Sequence, residues 1–411
     1  MKSNVFTGKN LISALKLCLL GVLIGALGGV AGAAFAHLLL LVTHTRESFP
    51  WLILLLPVGG VLTVVLYRVS QMSDHGGTNE VIRCLESKSP IRALAAPLIF
   101  VSTAITHLLG GSAGREGAAI QLGGAGASAL SGVLRLKDNE RSAFIMCGMS
   151  AVFAGVFGTP LTAAVFILEF RSEKKLWFLS ALPCFISALI AAGLSSLLGV
   201  AEETAHIADI APFSPVTIVQ IIVLALGIGL LGFVMCFVFH KAEKLSKKLI
   251  SNQLIRIVIG AVVIVALTAL VGDMRYNGSG MEMALGAVGG RAEWFDFMLK
   301  LAFTAITIAA GFKGGEIVPT FCIGATFGCF IGGVIGMDAG LAAALGLVGL
   351  FSCVTNSLIA AVFLGVELFG ISALPYFALI CLVIWPLSTN NGLFHNRFFK
   401  SPIFYKKVKN T

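Results

Sequence analysis

Between Gly110 and Gly124 the chain reads GGSAGREGAAIQLGG, and adjacent Arg115 and Glu116 stand among glycines in surroundings that are otherwise mostly apolar. A carboxylate at the centre of a membrane helix costs roughly 2.5–3.5 kcal/mol on insertion scales, so one kept there points to function. Arg115 is a poor neutralising partner, because neighbouring residues on a helix do not face each other. Glycines let backbone approach a ligand closely and suit a turn that opens a helix. The first N–H groups of that helix lack internal partners and carry the positive end of its dipole, which makes the turn an anion site. Glu116 is then a tethered anion with which a free anion competes.

A second Gly-rich element, GFKGGEIVPTFCIGATFGCFIGG, begins at Gly311 and carries Glu316. That acid is either functional or a cap that stabilises a helix N-terminus by ~0.3–1 kcal/mol. Glu169 and Glu367 close two related apolar segments and are expected at helix ends near water. His107, one turn before the first Gly-rich stretch, reads as a packing histidine ahead of a proton relay. Lys313 fits a side chain snorkelling to the interface. Gly76 and Gly77 form either a plain turn or a backbone contact to an anion, since irregular backbone at membrane depth is tolerated where it lines a cavity. No nucleophile–base constellation is present to suggest an enzyme. The nine cysteines lie singly with no CxxC pair, which suits small hydrophobes and implies no metal site, disulfide framework or cofactor.

These residues need a membrane scaffold to hold them. Of 411 residues, 57% are hydrophobic and only 12% charged, against about 25% charged in soluble domains. The mean hydropathy is +0.96, and apolar runs of ~18 or more residues recur. The composition predicts an all-α polytopic membrane protein. The formal net charge of +9 does not indicate nucleic acid, because lysines and arginines gather at helix ends and at the termini. Spans are expected at 17–42, 51–69 and 93–109. A further run, 142–170, is broken at Gly158-Thr159-Pro160, and another span covers 176–200. In the second half spans are expected at 216–239, 256–272 and 297–312, followed by the second Gly-rich element and a closing segment, 355–367. Breaks fall at Ser73–Thr78 and Met274–Gly280, and Leu134–Arg141 reads as a surface loop. Segment 201–214, without lysine or arginine, should face outside. Basic residues at both ends place both termini in the cytoplasm.

The two halves repeat. GGSAGREGAAIQLGGAGAS at 110 resembles GGEIVPTFCIGATFG at 314, and TPLTAAVFILEF at 159 resembles NSLIAAVFLGVELF at 356, an offset of about 200 residues. The expected organisation is a single membrane domain of two repeats, about 17–200 and 216–395, with a basic tail at 397–411. Repeated halves interrupted by Gly and Pro in matching places point to a transporter or channel whose site lies near the midplane.

These motifs resemble the CLC family of anion channels and anion/proton exchangers, over about residues 20–395. GREGA at 114–118 is similar to the family's G-[KR]-E-G-P, whose glutamate is gate and proton carrier; that position is Glu116. GGEIVP at 314–319 resembles the G-x-F-x-P element that coordinates the anion by backbone amides, and GGTNEVI at 76–82 occupies the place of GSGIPE. The resemblance implies a CLC-type inverted repeat of tilted, broken helices and a homodimer with one pore per subunit. It also implies an anion site at Gly76, Gly77, Gly114, Arg115, Gly117, Glu316, Ile317 and Phe394. Within the family the chain is most similar to the bacterial fluoride-type branch, notably in APLIFVSTAITHLLGGSAGREG and in the acid of GGE. The serine of GSGIP falls at Gly76, the tyrosine that often closes the inner side at Phe394, and a second exchanger glutamate at Phe170. The loss of two hydroxyls argues against ordinary chloride coordination. The implied function is fluoride/proton antiport in a bacterial inner membrane, with Glu116 as gate and Glu316 as a proton route. The implied partners are fluoride or chloride, protons and lipid. A chloride channel or exchanger is the first alternative. A cation-coupled organic-solute transporter is the second, although it has no need of an acid at each of two anion-type helix starts.

Overall fold

The computed structural model describes residues 8–73, 76–87, 89–136, 138–170, 173–207, 210, 212–388 and 392–393. Among them are sixteen α-helices in two runs of eight. The first run is α1 (Gly8–Ser48), α2 (Leu56–Val69), α3 (Gly77–Ser87), α4 (Ala95–Leu108), α5 (Glu116–Val133), α6 (Asp138–Phe157), α7 (Pro160–Glu169) and α8 (Lys174–Leu197). The second is α9 (Pro215–Leu249), α10 (Gln253–Val271), α11 (Met281–Val288), α12 (Asp296–Ala310), α13 (Ile317–Val334), α14 (Ala339–Thr355), α15 (Leu358–Phe369) and α16 (Leu374–Ile384). Among the described residues, seven helical spans are long and apolar enough to cross a membrane, the first being Leu15–Ser48. Five shorter apolar helices accompany them. The chain is a multi-pass membrane protein. At 1.5 Å per residue, α1 with 41 residues and α9 with 35 are far longer than a ~30 Å hydrocarbon core, so they must tilt or project beyond it.

The breaks follow from local chemistry. α6 ends at Phe157 and α7 starts at Pro160, with Gly158 between them at a φ of 70° that only glycine adopts easily. Proline at the first helical position needs no N–H donor. One expectation differs from the structure: Asp138–Arg141 is the first turn of α6, not loop. The carboxylate of Glu140 matches the positive end of the helix dipole and accepts from Lys16 Nζ at 2.9 Å.

The neighbours of each helix reveal the symmetry. α4 packs on α5, α5 on α6, α6 on α7 and α8, and α1 on α4, α6 and α8. The same contacts recur with every number raised by eight. Three helices, α2, α5 and α7, also touch their own counterparts α10, α13 and α15, as a two-fold relation requires. The sense of the axis comes from the shortest pair. Glu367, near the end of α15, accepts from Leu161 N and Thr162 N at the start of α7, both at 2.8 Å, and from Thr162 Oγ1 at 2.6 Å. Glu169, at the end of α7, accepts from Ile359 N at the start of α15 at 2.9 Å. Each helix thus ends where the other begins, so the two run antiparallel and the repeat is inverted. Small residues allow close approach within each half. A Cβ on Gly123 would strike the Gly148 carbonyl between α5 and α6, and one on Gly324 would strike the Gly346 carbonyl between α13 and α14. Such contacts suit membrane helix packing, where van der Waals fit replaces the hydrophobic drive.

Candidate functional site: two helix starts around one carboxylate

The two Gly-rich turns meet at the centre of the inverted repeat. Gly114 N donates to Gly315 O at 2.7 Å and Gly315 N to Gly114 O at 2.6 Å, a two-residue antiparallel bridge. This joins the start of α5 to the start of α13. The second half also fixes the first turn from behind. Asn277 Nδ2 donates to Gly110 O at 2.7 Å, Gly278 N to Gly111 O at 3.0 Å, and Ser112 N to Thr307 Oγ1 at 3.1 Å. The break at 274–280 is itself pinned by Lys300 of α12, a fully buried lysine whose Nζ donates to Tyr276 O at 3.0 Å and Gly278 O at 2.8 Å.

Glu116 is fully buried. Its Oε1 accepts from Arg115 N at 3.1 Å, and the amides of Glu116 itself and of Val318 face the carboxylate. It therefore lies between the N-terminus of α5 and that of α13, where both helix dipoles favour negative charge. Oε2 has no hydrogen-bond partner. The space it occupies exists because two positions lack a Cβ. One on Gly315 would stand 2.5 Å from Oε2 and 2.8 Å from Gly117 N, and one on Gly114 would stand 2.9 Å from Oε1. An unpaired buried carboxylate is costly, so an arrangement that is open on one oxygen suits a group that gives way to a competing anion or takes a proton.

The other predicted residues divide into those the structure brings to this junction and those it places elsewhere. Gly117 is central: its carbonyl accepts from Thr78 Oγ1 at 3.2 Å and from Gln121 Nε2 at 3.0 Å. Arg115 points away from Glu116; it pairs with Glu203 and sits 4.8 Å from the Phe157 ring centroid. Glu316 is the N-cap of α13, is half-buried and lies in the field of Glu243. Ile317 is the first residue of α13 and is buried. Gly77 opens α3 with a φ of 64°. Gly76 is exposed, and its N–H donates to the Glu80 carboxylate. Phe394 lies outside the described residues. Lys313 is partly buried, with Nζ 4.4 Å from the Tyr67 ring centroid.

Three participants are not evident from the sequence. Thr78 carries a hydroxyl to the junction two residues beyond the glycine that replaces the family's serine. Gln121 links Thr78 to α5, with Nε2 3.3 Å from Oγ1. Lys300 is a single cation inside an apolar run; that anomaly is the only signal that could have drawn attention to it.

An inverted repeat that directs two broken-helix N-termini at one buried carboxylate defines a membrane transport protein. Comparison with known proteins agrees. The family profile described as voltage gated chloride channel matches residues 59–384, and the chain belongs to this family, the CLC proteins. It is 32% identical over 381 residues, covering 91% of this chain and 84% of the relative, to a "Chloride/fluoride channel protein" of Pseudomonas syringae pv. tomato. It is also similar to a solved CLC-type fluoride/proton antiporter, with a TM-score of 0.88, 33% identity and coverage of 93% of this chain and 97% of that one. A slow cyanobacterial Cl⁻/H⁺ antiporter shares the fold, with a TM-score of 0.73, 17% identity and coverage of 93% and 95%.

Proposed function

We propose that this protein exchanges fluoride for protons and exports fluoride. In this reading Glu116 is gate and proton carrier, and Glu316 is the proton route from the opposite side of the bridge. The observation that carries the proposal is the Glu116 carboxylate held between the starts of α5 and α13, with one oxygen unpartnered. Protonation removes the tethered anion, and a free anion takes its place against the same amides. Gly76, Gly77, Gly114, Arg115, Gly117, Glu316, Ile317 and Phe394 are proposed to form or frame the anion path. The fluoride assignment rests on the likeness to a chloride/fluoride channel protein and to a fluoride/proton antiporter. The repeat units are proposed as 17–200 and 216–395 with a basic tail at 397–411. The working form is proposed as a homodimer in the bacterial inner membrane with both termini cytoplasmic, as the positive-inside rule supports.

Chloride exchange is the second reading, and the likeness to a "Chloride/fluoride channel protein" is what supports it. The choice is decided by paired efflux from vesicles holding equal fluoride and chloride, read with ion-selective electrodes. Fluoride is expected to leave at least tenfold faster, a difference needing only ~1.4 kcal/mol, and Phe394→Tyr is expected to raise chloride throughput. Chloride leaving first from the wild type transfers the protein to the second reading.

The proton route has its own test. Phe170 is apolar and Glu169 is occupied in capping α15, which leaves Glu316. Glu316→Gln is expected to reduce proton-coupled flux about tenfold or more, and Glu169→Gln far less, because the glutamine carbonyl still accepts from Ile359 N. If Glu169→Gln proves the more damaging to coupling, protons do not pass by Glu316.

A further inference from the structure

Arg115 carries a positive charge one residue from the central carboxylate, and the fold brings it a partner from far along the chain. Arg115 Nη2 donates to Oε1 of Glu203, in the segment that follows α8. The same guanidinium sits 4.8 Å from the ring centroid of Phe157, the last residue of α6. The two side chains are only 17% and 22% exposed, so water screens the pair weakly.

The segment is anchored on both sides of Glu203. Before it, His37 Nε2 of α1 lies 2.9 Å from Leu198 O, and Val200 N donates to Ser195 O at 3.1 Å. After it, Ala205 N donates to Leu368 O of α15 at 3.0 Å, and Ile207 is buried. Beside it, Gly158 in the break between α6 and α7 lacks the Cβ that would stand 2.9 Å from Glu202 Cγ. A strap pinned at these points presents Glu203 to Arg115 as a fixed group, unlike the usual surface ion pair of two mobile side chains.

The other charges near this junction are engaged elsewhere. Arg46 of α1 pairs with Glu47 at 3.5 Å, and Arg275 with Asp296 at 3.0 Å. Lys300 of α12 donates to two carbonyls, and Glu367 of α15 caps α7. His107 of α4 is buried against the Gly114 backbone. Glu80 of α3 accepts from Gly76 N, Glu316 is the N-cap of α13, and Glu202 and Glu282 are exposed or half-buried. Glu203 is therefore the acid that answers Arg115. Arg115 in turn acts directly on the gate: it is the N-cap of α5, its N–H donates to Glu116 Oε1, and Glu116 lies in the field of its guanidinium.

We infer that Glu203 is a positioning residue for the gate, holding the Arg115 guanidinium off Glu116 and balancing its charge. The inference rests on Glu116 being the proton carrier, as proposed above. An unbalanced cation in poorly hydrated surroundings favours the charged form of a nearby carboxylate. Left unpaired, Arg115 keeps Glu116 ionised at the two helix starts; paired with Glu203, it leaves the carboxylate free to take a proton and give way to an anion.

The test is proton-coupled fluoride flux in proteoliposomes as a function of pH on the side that carries Glu203. Glu203→Gln is expected to move the half-maximal pH down by about one unit, because more acid is needed to protonate a carboxylate beside a free cation. Arg115→Met leaves Glu203 unopposed and is expected to move it up. The combined variant should return the profile towards that of the wild type, whatever its maximal rate, and Glu203→Asp should stay near the wild type. A purely structural strap gives neither opposite signs nor restoration. If Glu203→Gln does not fold, the direction of the Arg115→Met shift decides. A wild-type profile in Glu203→Gln, or shifts of the same sign in both single variants, overturns the inference. Glu116→Gln run alongside separates the two ideas. Coupled proton movement in that variant removes the transport reading itself, whereas its loss, with unshifted profiles in the Glu203 and Arg115 variants, removes only the role of Glu203.

Discussion

Replacing Glu116 with glutamine is expected to abolish proton coupling altogether. The side chain keeps its size, so the space between Gly114 and Gly315 stays filled. It can no longer carry a negative charge to the N-termini of α5 and α13, nor release a proton. Two helix dipoles each contribute ~0.3–1 kcal/mol to an exposed anion, and up to ~2 kcal/mol in partly buried geometry; glutamine forfeits this. A neutral side chain also no longer competes with a free anion, so anion movement becomes either passive or blocked. The measurement is proton uptake into proteoliposomes driven by an outward fluoride gradient. Proton movement against a pH gradient at the wild-type rate would falsify the assignment of Glu116 as proton carrier.

Gly315→Ala should have nearly as large an effect, by a different route. A methyl group there meets Glu116 Oε2 at 2.5 Å, Gly117 N at 2.8 Å and Glu116 N at 3.2 Å. Two of these three atoms are backbone, held by the Gly114–Gly315 bridge, so they cannot move aside cheaply. The carboxylate is driven out of the position between the helix starts, or the bridge opens. Displacements of about 1 Å at a reacting centre can lower rates on the order of 100-fold, and coupled flux is expected to fall by at least that factor. Gly333→Ala is the matched control. It lies in α13 with nothing within 4 Å of the added methyl, and alanine is the better helix former by up to ~1 kcal/mol. Equal transport by wild type and Gly315→Ala in the same assay removes the bridge from the mechanism.

The membrane class, the inverted-repeat family and the positions of most breaks are legible in the sequence. Hydropathy and the stops imposed by glycine and proline act over a few residues, so Gly158–Pro160 and the two Gly-rich turns declare themselves locally. The half-chain offset is visible because the repeat survives as residue identity. Glu116 is conspicuous for an equally local reason, a carboxylate among glycines where hydrocarbon should be.

What the tertiary structure alone decides is who meets whom across the axis. Glu169 and Glu367 read from the sequence as acids at helix ends near water; the fold gives each the first N–H groups of the other's helix. A buried polar group must find a partner, but nothing local says that the partner lies some 200 residues away. The same holds for the Gly114–Gly315 bridge, for Lys300 on the carbonyls of Tyr276 and Gly278, and for Thr78 at Gly117 where the motif drew attention to Gly76. Sequence periodicity identifies a helix and its start. Only the inverted packing of the two halves determines that the starts of α5 and α13 share one carboxylate, because that encounter depends on the relative placement of elements with no local contact between them.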